Sequence, residues 1–188
     1  MKIFVVYHSQ YGHTEKVAKS VADGAKKGGA DVTLLTAKEA IDQLDSLDGA
    51  DAIIFGSPTY MGSVSAGLKE FLEAASKKWQ SQAWKDKIAA GFTNSGSQSG
   101  DKLNTLGDIY LFAMQQSMIW TSMGILPGNN SSGGSVDDLN RIGAYSGLMT
   151  QSNVDEGPDK APLDSDLKTA EFLGERVAQV TKRWINGK

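Results

Sequence analysis

The chain is 188 residues long and 40% hydrophobic, enough for one domain whose buried core needs no metal or disulfide. It contains no cysteine, which excludes thiol redox chemistry, zinc–thiolate sites, iron–sulfur clusters and disulfide staples, so any redox work falls to a bound cofactor. A net charge of −3, with cations interleaved among acids, argues against nucleic acid or an anionic membrane as partner.

The first apolar run, Ile3 to Tyr7, gives way at once to His8-Ser9-Gln10. It suits a buried strand and is too short for a signal h-region or a membrane span, so a cytoplasmic location is the default expectation. A helix follows over Thr14 to Lys27, with Val17, Val21 and Ala25 on one stripe, Glu15 in its first turn, Lys26 and Lys27 in its last, and Gly28 as its stop. Val32 to Thr36 reads as a short β-branched strand, and Ala52 to Phe55 as a buried one. Ser65 to Ser76 is helical with Leu68, Phe71, Leu72 and Ala75 inward. Ile88 to Phe92 is the fourth strand, Asp101 to Gln116 the next helix, and Met118 to Ser122 a weaker fifth strand.

From Gly124 to Pro162 the periodicity fades, and three of the four prolines and a Gly-Asn-Asn-Ser-Ser-Gly-Gly run fall there. This reads as one long excursion between the last strand and the last helix, a lid, subunit-contact segment or insertion. The closing helix, Ser165 to Ile185, repeats apolar residues from Leu167 to Trp184. Alternating strands and helices with right-handed crossovers predict a single α/β domain over residues 1–188. The expected form is a flavodoxin-like, three-layer, doubly wound five-stranded parallel sheet of order 2-1-3-4-5.

Three loops carry the chemistry. Ser9-Gln10-Tyr11-Gly12-His13-Thr14 joins the first strand to the first helix. Backbone N–H groups at a helix amino end, two hydroxyls and a glycine suit a terminal phosphate monoester. The alternative is that Ser9 or Thr14 simply caps the helix. Neither a nucleoside-triphosphate loop nor a Gly-x-Gly-x-x-Gly fingerprint is present. Pro58-Thr59-Tyr60-Met61-Gly62 follows the third strand and can flank a flat ring, or be an ordinary turn. Thr93-Asn94-Ser95-Gly96-Ser97-Gln98-Ser99 follows the fourth strand and can supply polar contacts to a ring edge and a ribityl chain, or be a solvated loop. At the carboxyl ends of strands one, three and four, all three converge on the switch-point crevice, which favours a flavin mononucleotide, FMN.

These segments, with Tyr7-His8 before the first and Gly56-Ser57 before the second, resemble the WrbA-like NAD(P)H:quinone oxidoreductases, over residues 1 to about 124. The resemblance implies FMN as cofactor, NADH or NADPH as donor, a quinone-type acceptor, and a homodimer or homotetramer. It also implies that Ser9 through Thr14 hold the phosphate, that Pro58 through Gly62 and Asn94 through Ser99 hold the ring and ribityl groups, and that Tyr11 lies near the nicotinamide. Trp79 corresponds to a tryptophan that lines the acceptor side of the flavin, often across a subunit boundary; ordinary packing is the alternative. Two departures stand out: the third loop has fewer glycines than the family's, and Gln116 replaces a flavin-contacting histidine.

His8 and His13 are the only histidines. A ring near a helix amino terminus tends to be neutral, so neither is read as an acid or base, and no side chain is expected as an obligatory catalyst. No metal site is expected. The rival readings are a one-electron carrier of the flavodoxin type and an FMN-binding module without turnover.

Overall fold

A computed structural model describes residues 1–187. The strands are β1 (Lys2–Tyr7), β2 (Asp31–Thr36), β3 (Ala52–Tyr60), β4 (Ser63–Val64), β5 (Ile88–Ser95), β6 (Ile119–Trp120) and β7 (Leu148–Gln151). The helices are α1 (His13–Lys27), α2 (Ala37–Asp42), α3 (Ala66–Ala74), α4 (Ser76–Ser81), α5 (Lys102–Gln115) and α6 (Asp164–Asn186). The sheet runs β2-β1-β3-β5-β6, the doubly wound order expected from the alternation of elements.

Alternate strand residues feed two cores, as the two-residue period of a strand requires. Ile3, Val5 and Ile54 pack with Val17 and Val21 of α1 and Leu173 and Val177 of α6. Phe4, Val6, Ile53 and Phe55 pack with Leu68 and Phe71 of α3, Ile109 and Phe112 of α5, and the fully buried Trp84. On the first side α1 and α6 touch backbone to backbone. A Cβ on Gly174 would stand 1.9 Å from the Val21 carbonyl oxygen, so any side chain there would push the helices apart.

The fifth sheet position differs from the expected single strand. β6 pairs only with Ile88 and Ala89, the chain leaves the sheet, and β7 returns to the same edge to pair with Phe92–Ser95. With the hairpin strand β4 on β3, the sheet has seven strands among the described residues. Residues 124–162 are therefore not one irregular excursion. They contain a strand that completes the sheet edge, and this strand was hidden because four residues, two of them polar, show no usable period.

The intervening segment is tied down by buried polar groups. Arg141 makes a two-pronged ion pair with Asp166 of α6 at 2.8 Å, both side chains at most 5% exposed. Asp166 also accepts the Gln151 N–H of β7 at 2.9 Å. Asn140 donates its N–H to Thr169 Oγ1 at 2.9 Å. No helix among the described residues is long and apolar enough to cross a membrane.

Candidate functional site

The first loop turns sharply. His8 donates its N–H to Gly56 O at 3.0 Å, tying the start of the loop to β3. Ser9 Oγ then accepts the Gly12 N–H at 3.1 Å. Gly12 itself is the N-cap of α1, at φ +90°, and no side chain caps the helix. The capping alternative for Ser9 and Thr14 is thus not what the chain adopts; by contrast Thr36 caps α2 and Ser65 caps α3. The first-turn N–H groups of α1 have no partner within a helix, and His13 and Thr14 of that turn line the same cleft as Ser9. A Cβ at Gly12 would lie 2.9 Å from Pro158 Cγ, so sterics and backbone conformation both demand glycine.

The second loop is shorter than its composition suggests, because β3 continues through Pro58, Thr59 and Tyr60. Met61 (φ +49°) and Gly62 (φ +81°) form the two-residue turn into β4, the left-handed pair that a tight hairpin favours. Pro58 stands opposite Asn94 in the β3–β5 register, which brings the second and third loops side by side. The ring of Tyr60 meets that of Tyr11 edge-on, with centroids 6.3 Å apart. Burial, and then the neighbouring Tyr11, raise the Tyr60 phenol above its ordinary pKa, so it remains a neutral aromatic wall.

The third loop begins late in the same way, since β5 runs to Ser95. Thr93 is fully buried and faces a hydroxyl cluster in which Thr59 Oγ1 lies 2.7 Å from Thr93 Oγ1 and 2.8 Å from Thr105 Oγ1. Lys102, also fully buried, donates Nζ to the Ser97 and Gln98 carbonyls. Burial pushes its ammonium down to about 8, with Asp166 opposing and Arg141 reinforcing the shift.

A lowered folded pKa means that, between about 8 and the ordinary 10.5, the unfolded chain holds a proton the folded chain has released. Stability contributed by this group therefore rises as pH climbs through that window, and below pH 8 the burial penalty is felt in full. Against a Lys102→Met reference, denaturant titrations from pH 7 to 10.5 should show the wild type gaining on the order of 2 kcal/mol; parallel curves would refute this.

The three loops enclose a cleft of about 710 Å³. Ser9, Tyr11, His13, Thr14, Pro58, Thr59, Tyr60, Asn94, Ser95 and Gly96 line it. Gln10, Gly12, Met61, Gly62, Thr93, Ser97, Gln98 and Ser99 do not. Met61 projects fully into solvent, while Gln98 and Ser99 line a separate depression with Lys102. Trp79 is also elsewhere, half-exposed in a groove of about 450 Å³ between α3, α4 and α5 that includes Gln116.

Sequence reasoning did not find the fourth wall, residues 152–157, which follow β7 and line the cleft. His13 Nε2 lies 2.8 Å from Glu156 O, and Val154 leaves no room for a side chain at Gly96. The signal was present: Leu148-Met149-Thr150 runs into Ser152-Asn153 as the earlier strands run into Ser- and Asn-bearing loops. His8 is turned away from the cleft lining; its Nδ1 pairs with Ser65 Oγ at 2.8 Å and burial lowers its pKa, against an opposing pull from Glu70.

The donor set fits a phosphorylated flavin. An uncapped helix end beside two hydroxyls suits a phosphate, two aromatic rings form one wall, and the Asn94 carboxamide and Ser95 hydroxyl add neutral polar groups, with Asp155 and Glu156 also on the lining. Residues 1–119 match the family described as NADPH-dependent FMN reductase. Flavodoxin FldP of Pseudomonas aeruginosa is 41% identical over 181 residues, covering 95% of this chain and 96% of that one. The NAD(P)H dehydrogenase (quinone) of Archaeoglobus fulgidus is 32% identical over 205 residues, covering 97% and 98%. Among solved structures, a flavodoxin, WrbA-like protein from Agrobacterium tumefaciens superposes with a TM-score of 0.75 at 40% identity, covering 97% of this chain and 98% of its own.

Proposed function

Because this chain belongs to the NADPH-dependent FMN reductase family, we propose that it is an FMN-dependent oxidoreductase passing electrons from NADH or NADPH to a quinone-type acceptor. The observation that carries this reading is the convergence of an uncapped α1 terminus, the Tyr11–Tyr60 wall and Asn94 on one cleft. When bound there, FMN supplies the redox chemistry, accepting two electrons from the nicotinamide and yielding them to the acceptor.

The chain's own residues bind and orient. The first-turn N–H groups of α1, with Ser9 and Thr14, hold the phosphate without needing a cation. Pro58 through Tyr60 and Asn94 through Gly96 hold the ring and ribityl edge, and Tyr11 stands where a nicotinamide would stack. No side chain in the cleft is assigned as an acid or base. Trp79, remote from this cleft, is assigned to a neighbouring subunit's acceptor side in a homodimer or homotetramer.

Loaded with FMN under anaerobic conditions, the protein should bleach its flavin on addition of NADH or NADPH and recover the absorbance on addition of benzoquinone. FMN that binds but stays oxidised with both donors would refute the reductase reading. It would favour a one-electron carrier, which the 41% identity to a flavodoxin supports; accumulation of one-electron-reduced flavin on titration would mark that outcome.

A further inference from the structure

Asn94 is 6% exposed and lines the cleft. A carboxamide is chemically two-faced: its oxygen accepts, its nitrogen donates, and the two ends have nearly the same shape. Half a turn of the group would exchange donor for acceptor at the cleft with little steric cost. Here two hydroxyls oppose that turn. Thr150 Oγ1 donates to Asn94 Oδ1 at 2.9 Å, and Ser152 Oγ donates to the same oxygen at 3.0 Å. The two hydroxyl residues are 0% and 3% exposed. Thr150 Oγ1 also reaches the Thr93 carbonyl at 3.3 Å, the longer of its two contacts, so with its proton and that of Ser152 directed at the carboxamide oxygen the NH2 is what Asn94 offers a ligand.

Nor can the hydroxyls drift. Thr150 lies within β7, paired with Asn94 across the sheet. Ser152 donates its N–H to Ser95 O at 3.1 Å, and Gln151 Nε2 between them donates to Gly96 O at 2.8 Å.

We propose that Thr150 and Ser152 are positioning residues for the cofactor, locking Asn94 as a hydrogen-bond donor that receives an acceptor edge of the flavin ring and favours the electron-rich, reduced ring. This rests on the FMN reading above. A donor held at a fixed place strengthens as its acceptor gains charge, so it discriminates between redox states rather than merely adding affinity.

The test is a set of flavin midpoint potentials, each measured with FMN affinities by fluorescence titration. Thr150→Val with Ser152→Ala frees the carboxamide to turn. Reduced FMN should then lose about tenfold more affinity than oxidised FMN, lowering the two-electron midpoint by about 30 mV. Asn94→Ala should lower it comparably, and adding the two hydroxyl changes to Asn94→Ala should change nothing further. Thr150→Ser, which keeps a hydroxyl, should hold the wild-type potential. If the double variant does not fold, Ser152→Ala alone should move the potential in the same direction. An unshifted potential, or an equal shift in the Asn94→Ala background, would overturn the proposal while leaving the FMN reading standing. Wild-type protein that takes up no FMN would overturn both.

Discussion

Gly12→Val should weaken FMN binding by roughly a hundredfold or more while leaving the sheet intact. Two independent costs act at this position. Valine is β-branched and disfavours φ +90°, and its Cβ would meet Pro158 at 2.9 Å. Relief requires Gly12 to rotate or the 152–158 segment to lift. Either movement shifts the first-turn N–H groups of α1 away from the phosphate or opens the fourth wall of the cleft. Ser9→Ala, which removes one acceptor of the Gly12 N–H but no steric freedom, should cost only about tenfold. Fluorescence titration with FMN, alongside circular dichroism to confirm folding, measures both; wild-type affinity in Gly12→Val would refute the phosphate assignment.

Asp166→Asn should lower folding stability by about 3–5 kcal/mol, the cost of leaving a buried cation without its counter-charge. The Arg141 side chain is 5% exposed and makes both prongs of its pair with Asp166, so water compensates poorly for the lost carboxylate. The same oxygen that pairs with Arg141 Nη2 also accepts the Gln151 N–H, so the change weakens the return of β7 to the sheet. Replacing both ionic partners, as Arg141→Met with Asp166→Leu, should recover much of the loss because no orphan charge remains. Urea denaturation of the two variants beside the wild type reads this directly. A single variant as stable as the wild type would show that the pair is water-accessible.

Much of this architecture was legible in the sequence because buried parallel strands are apolar throughout. Ile3 to Tyr7, Ala52 to Phe55 and Ile88 to Phe92 stand out for that reason, as does α1 between its Glu15 and Gly28 signals. The errors share a cause. Pro58–Tyr60 and Thr93–Ser95 are strand by hydrogen bonding but polar by composition, since their side chains face a cleft and a hydroxyl cluster instead of a core. Turn-forming residues there masked the extension. β7 was passed over because its four residues, two of them polar, show no period, leaving only the Ser- and Asn-bearing loop after it as a signal.

The site divides along the same line. Loops that directly follow apolar strands were found. Those parts of them that bend away after Gly96, where Lys102 draws the Ser97 and Gln98 carbonyls inward, could not be told apart from the parts that stay. Trp79 and Gln116 share one groove, a proximity that no spacing rule reveals.

The divided fifth sheet position has a consequence for how this fold tolerates change in length. Between Trp120 and Leu148 the connection is anchored at Asn140 and Arg141, but its exposed stretch 129–133 makes no such contact, and insertions or deletions there carry a small entropic cost. Past Leu148 the tolerance ends. Side chains alternate faces along β7, so a single-residue slip would carry Thr150 to the opposite side of the sheet from Asn94. That exposed stretch can thus lengthen or shorten over evolutionary time, provided Asn140 and Arg141 keep their anchors and the strand resumes in phase. The site reads the phase of β7, not the length of the stretch.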